Sequence, residues 1–433
     1  MLLVMVDTTR IPPPRPVFRS RLTPLIAGGP SWRERRRCGG PGELELYYEA
    51  GDPHSHLCAQ LLPELQRRLA IPIVVRVVPP PDEAAYPETA RQRRFALQDA
   101  LQIAPAWGLD FAGHSLPDPA DCQRAARTLV AARSADDFAQ RERVCAEALF
   151  TRSDIRTAVR GFAAQDDRST GREIVANGRM RTRRGHYLPA MWQYNGEWFW
   201  ALDRIDLLEA RLRAQGLLQG QAPLVEFRAE QARLPAVAAD AHVRFWFSFR
   251  SPYSWLAAMR IRQRPELFSR LQVCPVLPMA MRGLPVPKAK RYYIVRDAAR
   301  LARQYNFPFG RIADPLGAGA ERCLGVFPLA DGVAQQLDFL CSAGQAVWGE
   351  GIDVATAAGM RFVVERAGLD WRRAEAMLRP PLDFAYAERN REALFAAGLW
   401  GVPSFGVEDF ATWGQDRLWM IEEIVAKSAS AAA

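Results

Sequence analysis

The sequence lacks any Cys-x-x-C pair and any long apolar run, and each absence disfavours a class of protein. Its seven cysteines are odd in number and widely spaced, which indicates neither a disulfide framework nor a cysteine metal site. No apolar run approaches the length of a membrane span. The chain therefore has the composition of a soluble protein with reduced thiols.

Histidine is also scarce, with five residues in 433. The second half of the chain contains only His242, at its very edge, so a Ser-His-Asp hydrolase has no base there. The formal net charge is +9, and much of it comes from arginines within residues 1–41. We expect a solvated, disordered tail there, no specific nucleic-acid binding and, without a signal-peptide pattern, a cytoplasmic location.

Two halves of the chain repeat one order of predicted elements. Each half begins with an apolar strand that leads into a helix whose first residue is a proline, Pro53 or Pro252. A short strand and a long helical stretch follow in each half. The predicted strands cover residues 44–50, 71–78, 243–249 and 271–276, and the helical stretches cover 93–178 and 289–398.

The two halves also end with the same order of elements. A proline, Pro189 or Pro403, precedes a predicted strand, and a final helix follows over residues 203–215 or 415–427. Asn195-Gly196 is a typical hairpin turn between the last two strands of the first half. The shared order favours duplication of an α/β unit with a mixed sheet and helices on its faces.

Ser251 is the first candidate for chemistry. It occupies the N-cap before Pro252, where backbone N–H groups and the helix dipole favour a bound anion. A hydroxyl donor at that place can stabilise a thiolate, which is the reactive form of a thiol. By itself, Ser-Pro is most often an ordinary helix cap, and Val402-Pro403 is by default an ordinary turn.

Three segments together carry a family resemblance: residues 243–257, 400–405 and 413–418. They resemble the kappa-class glutathione transferases and the 2-hydroxychromene-2-carboxylate isomerases, in the DsbA-like branch of the thioredoxin superfamily. The resemblance implies two tandem thioredoxin-like domains, each with an all-helical insertion. The predicted segments are a disordered basic tail (1–41), a degenerate domain (42–217), a linker (218–241), the second domain (242–427) and a disordered tail (428–433).

The resemblance also implies roles for residues of the second half, with glutathione as the cofactor. Ser251 would hydrogen-bond the glutathione sulfur, and the backbone of Val402, before a cis Pro403, would pair with the cysteinyl part. Gln415 and Asp416 would hold the γ-glutamyl carboxylate and amine.

Three further residues follow from the same resemblance. Lys290 would contact the glycyl carboxylate or an acidic substrate, and Tyr253 and Trp348 would line the substrate pocket. Without the resemblance, Lys290 belongs to a solvated charged run and Trp348 to the core.

The sequence departs from the family at several positions. Ser248 stands where the family commonly has Asp, and the loop over residues 281–287 contains no Asn. In the first half Asp52 replaces the key serine, and an ionised carboxylate would repel a thiolate. We interpret this half as a degenerate copy that stabilises or covers the working domain. His54 and His56 flank the helix start on different faces, so no metal is expected.

These observations predict a glutathione-dependent isomerase or transferase that acts on a small, conjugated, aromatic-acid-like electrophile. A non-catalytic scaffold of two thioredoxin-like domains is the main alternative. A thiol–disulfide oxidoreductase is less favoured, because neither helix start, at residues 52–55 or 251–254, contains a cysteine. We expect a monomer or homodimer with no membrane association.

Overall fold

The computed structural model describes residues 42–238 and 240–432, which divide into two compact units between Leu234 and Pro235. We call residues 42–234 the N-terminal unit and the described residues from Pro235 onward the C-terminal unit. The disordered basic tail predicted over residues 1–41 lies outside the described residues.

The division falls inside the predicted linker, but the first part of that segment folds onto the N-terminal unit. Leu218 forms an antiparallel bridge with Leu69, and the Arg228 N–H donates to the Ala106 carbonyl at 2.6 Å. The boundary of this unit therefore lies well beyond the predicted residue 217, because residues 218–234 satisfy backbone groups within it.

The N-terminal unit contains four strands and eight α-helices. Its strands are β1 (Leu44–Tyr48), β2 (Ile73–Val77), β3 (Met191–Tyr194) and β4 (Glu197–Trp200). Its helices are α1 (Pro53–Ala59), α2 (Leu62–Arg68), α3 (Thr89–Ile103), α4 (Pro119–Val130), α5 (Ala135–Thr151), α6 (Ile155–Ala158), α7 (Asp167–Arg183) and α8 (Ile205–Arg213), with short 3-10 turns at Ala104–Trp107 and Ala229–Gln231.

The sheet of the N-terminal unit has the order β2-β1-β3-β4. β1 is parallel to β2 and antiparallel to β3, and β3 and β4 form an antiparallel hairpin. All five residues of β1 are buried, as expected of a central strand covered on both faces. The segment between β2 and β3 consists of helices α3 to α7 and their loops.

The C-terminal unit also contains four strands and eight α-helices. Its strands are β5 (Val243–Phe247), β6 (Leu271–Pro275), β7 (Ser404–Val407) and β8 (Phe410–Trp413). Its helices are α9 (Pro252–Arg262), α10 (Lys288–Gln304), α11 (Ala318–Val326), α12 (Gly332–Trp348), α13 (Ala357–Arg366), α14 (Trp371–Met377), α15 (Ala385–Ala396) and α16 (Leu418–Ala432), with 3-10 turns at Met279–Arg282, Phe327–Leu329 and Gln415–Arg417.

Its sheet has the order β6-β5-β7-β8, with the same pattern of parallel and antiparallel pairs as the first sheet. Helices α10 to α15 lie between β6 and β7. The rings of Phe245 and Phe405, which are register partners, stack at 5.2 Å across β5 and β7. Aromatic cross-strand pairs of this kind hold the register of a sheet.

The end of the chain differs from the prediction. Helix α16 continues to Ala432, so residues 428–432 extend the last helix where a disordered tail was expected. An alanine-rich end favours this extension, because alanine has the highest helix propensity. Among the residues that the structure describes, no helix combines the length and the hydrophobicity that a membrane span requires.

Candidate functional site in the C-terminal unit

Three of the predicted segments meet at one edge of the second sheet. Trp246, near the end of β5, pairs with Ser404, the first residue of β7. The residues before Ser404 therefore lie beside the loop that connects β5 to α9 and contains Ser251. Ser404 also pairs with Trp413, the last residue of β8, so the segment after β8 begins at the same edge.

Ser251 caps helix α9 in the predicted way. Its Oγ accepts a hydrogen bond from the Ser254 N–H at 3.1 Å, and its φ and ψ are extended. Pro252 follows at the first helical position. Within the described part of the chain, the hydroxyl hydrogen of Ser251 has no acceptor, and the residue is half-buried. The hydroxyl can thus donate a hydrogen bond to a ligand while its oxygen accepts the N-cap hydrogen bond from Ser254.

Ser254 anchors the loop between β5 and α9 through its side chain. It is fully buried, and its Oγ accepts a hydrogen bond from the Ser248 N–H at 3.4 Å. The Ser248 hydroxyl in turn accepts from the Arg250 N–H at 3.4 Å. The residues on either side of Ser251 are therefore held by hydrogen bonds from backbone N–H groups, and the side chain of Ser254 is buried in the core.

The bond between Val402 and Pro403 is cis, as the resemblance implies. The Pro403 carbonyl accepts a hydrogen bond of 2.9 Å from the Gly414 N–H, which joins this turn to the segment after β8. Val402 is half-buried whereas Pro403 is buried. Val402 is therefore the more accessible residue of this cis peptide bond.

Gln415 and Asp416 lie in the 3-10 turn before α16, and the two side chains differ in their surroundings. Gln415 is buried, and its Oε1 accepts from Arg260 at 3.2 Å and from the Tyr305 hydroxyl at 3.4 Å. Its amide nitrogen donates to Asp416. Because Gln415 is committed to protein partners, the half-buried Asp416 is the more accessible side chain of the pair.

Tyr253 connects the start of α9 to the helical insertion. Its hydroxyl donates to the Asp297 carboxylate on α10 at 2.8 Å, and Arg300 donates to the same carboxylate at 2.7 Å. Asp297 is fully buried, so this pairing compensates the loss of its hydration. The half-buried ring of Tyr253, rather than its hydroxyl, is the part that can face a substrate.

Lys290 lies in the first turn of α10, seven residues before Asp297. The side chain is half-buried, and this burial lowers the pKa of its ammonium group to about 8. A lysine in a solvated run would keep its ordinary pKa, so the surroundings of Lys290 differ from those of an exposed charged residue.

Trp348, the last residue of α12, is a core residue in this structure. It is 4% exposed, and its ring stacks on Phe309 at 6.0 Å with an interplanar angle of 7°. Phe309 also contacts the ring of Trp255, which is fully buried. Trp348 therefore packs in the core between α9 and α12. Little of its ring is accessible to a substrate.

The corresponding helix start of the N-terminal unit has different chemistry. The Asp52 carboxylate accepts from both the N–H and the hydroxyl of Ser55, at 2.8 and 2.6 Å. His54 pairs with Asp99, and His56 pairs with Glu142, in each case at 2.8 Å. Among the residues that the structure describes, no group of three potential ligands could hold a metal ion.

The cysteines are poor candidates for redox chemistry. Six of them lie among the described residues, and none forms a disulfide. Burial raises the pKa of Cys274 to about 11 and that of Cys323 to about 12, and the pKa values of the others shift in the same direction. The thiolate forms are therefore scarce near neutral pH.

Sequence reasoning missed Asp297, Arg260 and Tyr305, which hold Tyr253 and Gln415 in place. An aspartate within the apolar face of a predicted helix, beside Ala298 and Leu301, was a usable signal for Asp297. Nothing comparable marks Arg260, because arginine near a helix end is common.

A known protein family matches part of the chain. Residues 242–426 match the family described as DSBA-like thioredoxin domain. The C-terminal unit therefore carries a DsbA-like thioredoxin domain.

The chain is also similar to individual proteins that are named isomerases. The chain is 28% identical over 194 residues to a 2-hydroxychromene-2-carboxylate isomerase of Sphingobium xenophagum, covering 42% of this chain and 95% of the relative. It is 25% identical over 194 residues to the protein of that name from Pseudomonas putida, covering 43% and 94%. A solved 2-hydroxychromene-2-carboxylate isomerase aligns with 44% of this chain and 97% of its own, at 28% identity and a TM-score of 0.37.

Proposed function

We propose that the C-terminal unit is a glutathione-dependent isomerase or transferase that acts on a conjugated, aromatic-acid-like electrophile. The observation that carries the proposal is the placement of Ser251, the cis Pro403 turn and Asp416 at one sheet edge. The names of the relatives support an isomerase, since both curated proteins are 2-hydroxychromene-2-carboxylate isomerases.

Ser251 would act on the sulfur of glutathione. Its oxygen already accepts from the Ser254 N–H, and its hydroxyl hydrogen remains available to donate to the sulfur. Donation to the sulfur favours the thiolate, which is the nucleophile. The proton of the thiol leaves to solvent, because His242, the one histidine of residues 235–433, lies directly before β5, whereas Ser251 follows the opposite end of that strand.

The reaction then needs only addition and elimination. The thiolate adds to the β-carbon of the conjugated carbonyl compound, and the carbon–carbon double bond becomes single as an enolate forms. Rotation about that bond and expulsion of the thiolate restore the double bond in the other geometry and release glutathione unchanged. A transferase would instead protonate the enolate from solvent and keep the carbon–sulfur bond.

Asp416, Val402 and Lys290 would hold the peptide. The Asp416 carboxylate suits the γ-glutamyl ammonium, and the Val402 backbone suits the cysteinyl amide. Lys290 suits the glycyl carboxylate. Arg260 is within 3.2 Å of the Gln415 side chain and adds a cation near the γ-glutamyl carboxylate.

Calorimetric titration with glutathione tests this proposal on the full chain. We expect saturable binding that Asp416→Asn weakens about tenfold, because a charge-assisted hydrogen bond is lost. Asp370→Asn makes the same change at the N-cap of α14 and should leave binding unchanged. Absence of binding at millimolar glutathione would contradict the proposal.

A non-catalytic binding protein is the second candidate, and the loop over residues 281–287 favours it because the family asparagine is absent there. This candidate predicts that the chain leaves the geometry of conjugated aromatic acids unchanged in the presence of glutathione. Turnover of any such acid that is lost in Ser251→Ala would reject it.

A further inference from the structure

A cavity of about 660 Å³ lies in the N-terminal unit, at the end of β1 where the unit has Asp52 in place of a serine. Its apolar wall consists of prolines and aromatic or aliphatic side chains. These are Val77, Val78, Pro79, Pro80, Pro81, Tyr86, Leu116, Pro117, Pro119, Ile174, Val175, Leu188, Pro189 and Trp200. The volume is that of a site for a small organic molecule.

Two buried polar side chains that line this cavity each have one oxygen atom without a hydrogen-bond partner among the residues that the structure describes. Gln92 is 3% exposed, and its Oε1 accepts no hydrogen bond from residues 42–238 or 240–432, although its amide nitrogen donates to the Pro87 carbonyl. Thr170 is 4% exposed, and no residue in the described part of the chain forms a hydrogen bond with its Oγ1. A buried polar atom without a partner is costly, so each of these oxygens is suited to a donor on a ligand.

Two carboxylates line the same cavity. Asp52 uses Oδ2 to accept from Ser55, and no described residue forms a hydrogen bond with its Oδ1. Glu49 is 9% exposed, and its nearest cation is Arg93, at 3.8 Å. That distance is too long for a direct hydrogen bond, and the Arg93 side chain is 49% exposed.

We propose that this cavity binds an organic ammonium cation attached to an apolar body. The oxygens of Glu49, Asp52, Gln92 and Thr170 supply acceptors for the ammonium hydrogens, and the proline-rich wall receives the apolar part. A carboxylate ligand fits less well, because Arg127 at the cavity is already paired with Asp167 at 3.3 Å and Arg93 is largely solvated.

Calorimetric titration of the full chain with 2-phenylethylammonium tests this proposal, with 3-phenylpropanoate and 2-phenylethanol as probes of matched shape. We expect saturable binding of the ammonium probe that is at least about tenfold tighter than that of the other two. Tighter binding of the carboxylate or the alcohol, or no binding of the ammonium probe, would overturn the proposal.

Two variants locate the site. Asp52→Asn removes a negative charge but keeps an N-cap residue, and it should weaken ammonium binding about tenfold. Because burial raises the pKa of Glu49 to about 8, Glu49→Gln should weaken the binding about tenfold when it is measured at about pH 9, where the glutamate is ionised. Asp154→Asn, the same change at the N-cap of α6, should have no effect. Unchanged binding in both cavity variants would overturn the assignment to this cavity.

The proposal is independent of glutathione chemistry in the C-terminal unit. Ammonium binding should persist in Ser251→Ala and in the presence of excess glutathione. Displacement of the probe by glutathione would show that the cavity is a tripeptide site and would overturn the ammonium assignment.

Discussion

The Tyr253 hydroxyl donates a hydrogen bond of 2.8 Å to Asp297, and this bond joins the first turn of α9 to the middle of α10. Asp297 is fully buried, and Arg300 donates to its second oxygen at 2.7 Å. The helix that begins beside Ser251 is thus tied to the helix that carries Lys290. The position of the candidate site depends on this link.

Tyr253→Phe removes the link while it keeps the ring. We expect a loss of about 1–3 kcal/mol in the free energy of unfolding, because a hydrogen bond to a buried charged group disappears. Denaturant unfolding of the full chain measures it. Tyr292→Phe deletes a hydroxyl from α10, on a ring that packs against Lys288, and should cost much less. Equal effects of the two changes would contradict the structural role of Tyr253.

Gly344 permits the close packing of α12 against α9. A Cβ at this position would lie 2.1 Å from Cδ1 of Trp255, which is fully buried. Gly344→Ala should therefore destabilise the C-terminal unit by about 1–3 kcal/mol or more.

Gly325, in α11, is the matched control. The nearest atom to an added Cβ would be 3.5 Å away, which is ordinary contact. Gly325→Ala should be neutral or stabilising by up to about 1 kcal/mol, because alanine favours a helix interior over glycine. A Gly344→Ala protein as stable as the Gly325→Ala protein would contradict the packing described here.

An amine-reactive acylating reagent should modify Lys290 at lower pH than it modifies an ordinary lysine. With a pKa of about 8, about one tenth of its amine is neutral at pH 7, whereas an ordinary lysine reaches that fraction only above about pH 9. The sequence contains three lysines, Lys288, Lys290 and Lys427, so peptide mass spectrometry can follow each.

The rate of Lys290 labelling should rise with a midpoint near pH 8, and S-methylglutathione should move the midpoint upward. A carboxylate beside an ammonium group favours its charged form, so the ligand raises the pKa. Labelling of exposed Lys427 should not respond to the ligand. A midpoint near 10 without ligand would contradict the burial of Lys290.

Glu49 gives the N-terminal unit a pH dependence. Burial, and then the charge of Asp52, raise its pKa to about 8, whereas Arg93 and Arg181 act in the opposite direction. The folded state therefore retains a proton that the unfolded state has lost above about pH 4.5. Stability from this group is present below that pH and is lost as the pH rises through 8.

Glu49→Gln should flatten this decline, because glutamine keeps the neutral form at every pH. Unfolding of the N-terminal unit, followed between pH 5 and about 9, measures the difference. Glu147→Gln, a similar change on α5 at an exposed position, is the control. An unchanged slope in Glu49→Gln would contradict the raised pKa.

The strands and the helix starts were predictable from local sequence. A run of aromatic residues before a Ser-Pro helix cap predicted a strand over residues 243–249. The observed strand β5 covers Val243–Phe247. Ser251 caps α9 as expected, since a cap needs only residues close in sequence.

The tertiary pairings were not predictable in the same way. The Tyr253–Asp297 bond joins residues 44 apart, and the Gln415–Arg260 contact joins residues 155 apart. Residues 79–81 lie between a predicted strand and a predicted helical stretch and had no predicted role, yet they line the N-terminal cavity. Such contacts depend on how the helices pack against each other. The hydrophobic periodicity of a single sequence predicts where helices form but not which of their residues meet.

The pKa of the glutathione thiol when bound to the full chain tests the central claim most directly. Thiolate absorbance in the ultraviolet, titrated with pH, measures it for the wild type and for Ser251→Ala. We predict a bound pKa clearly below the ordinary thiol value of about 8.5, and a return toward that value in the variant. The same pKa in both proteins would contradict the role of Ser251.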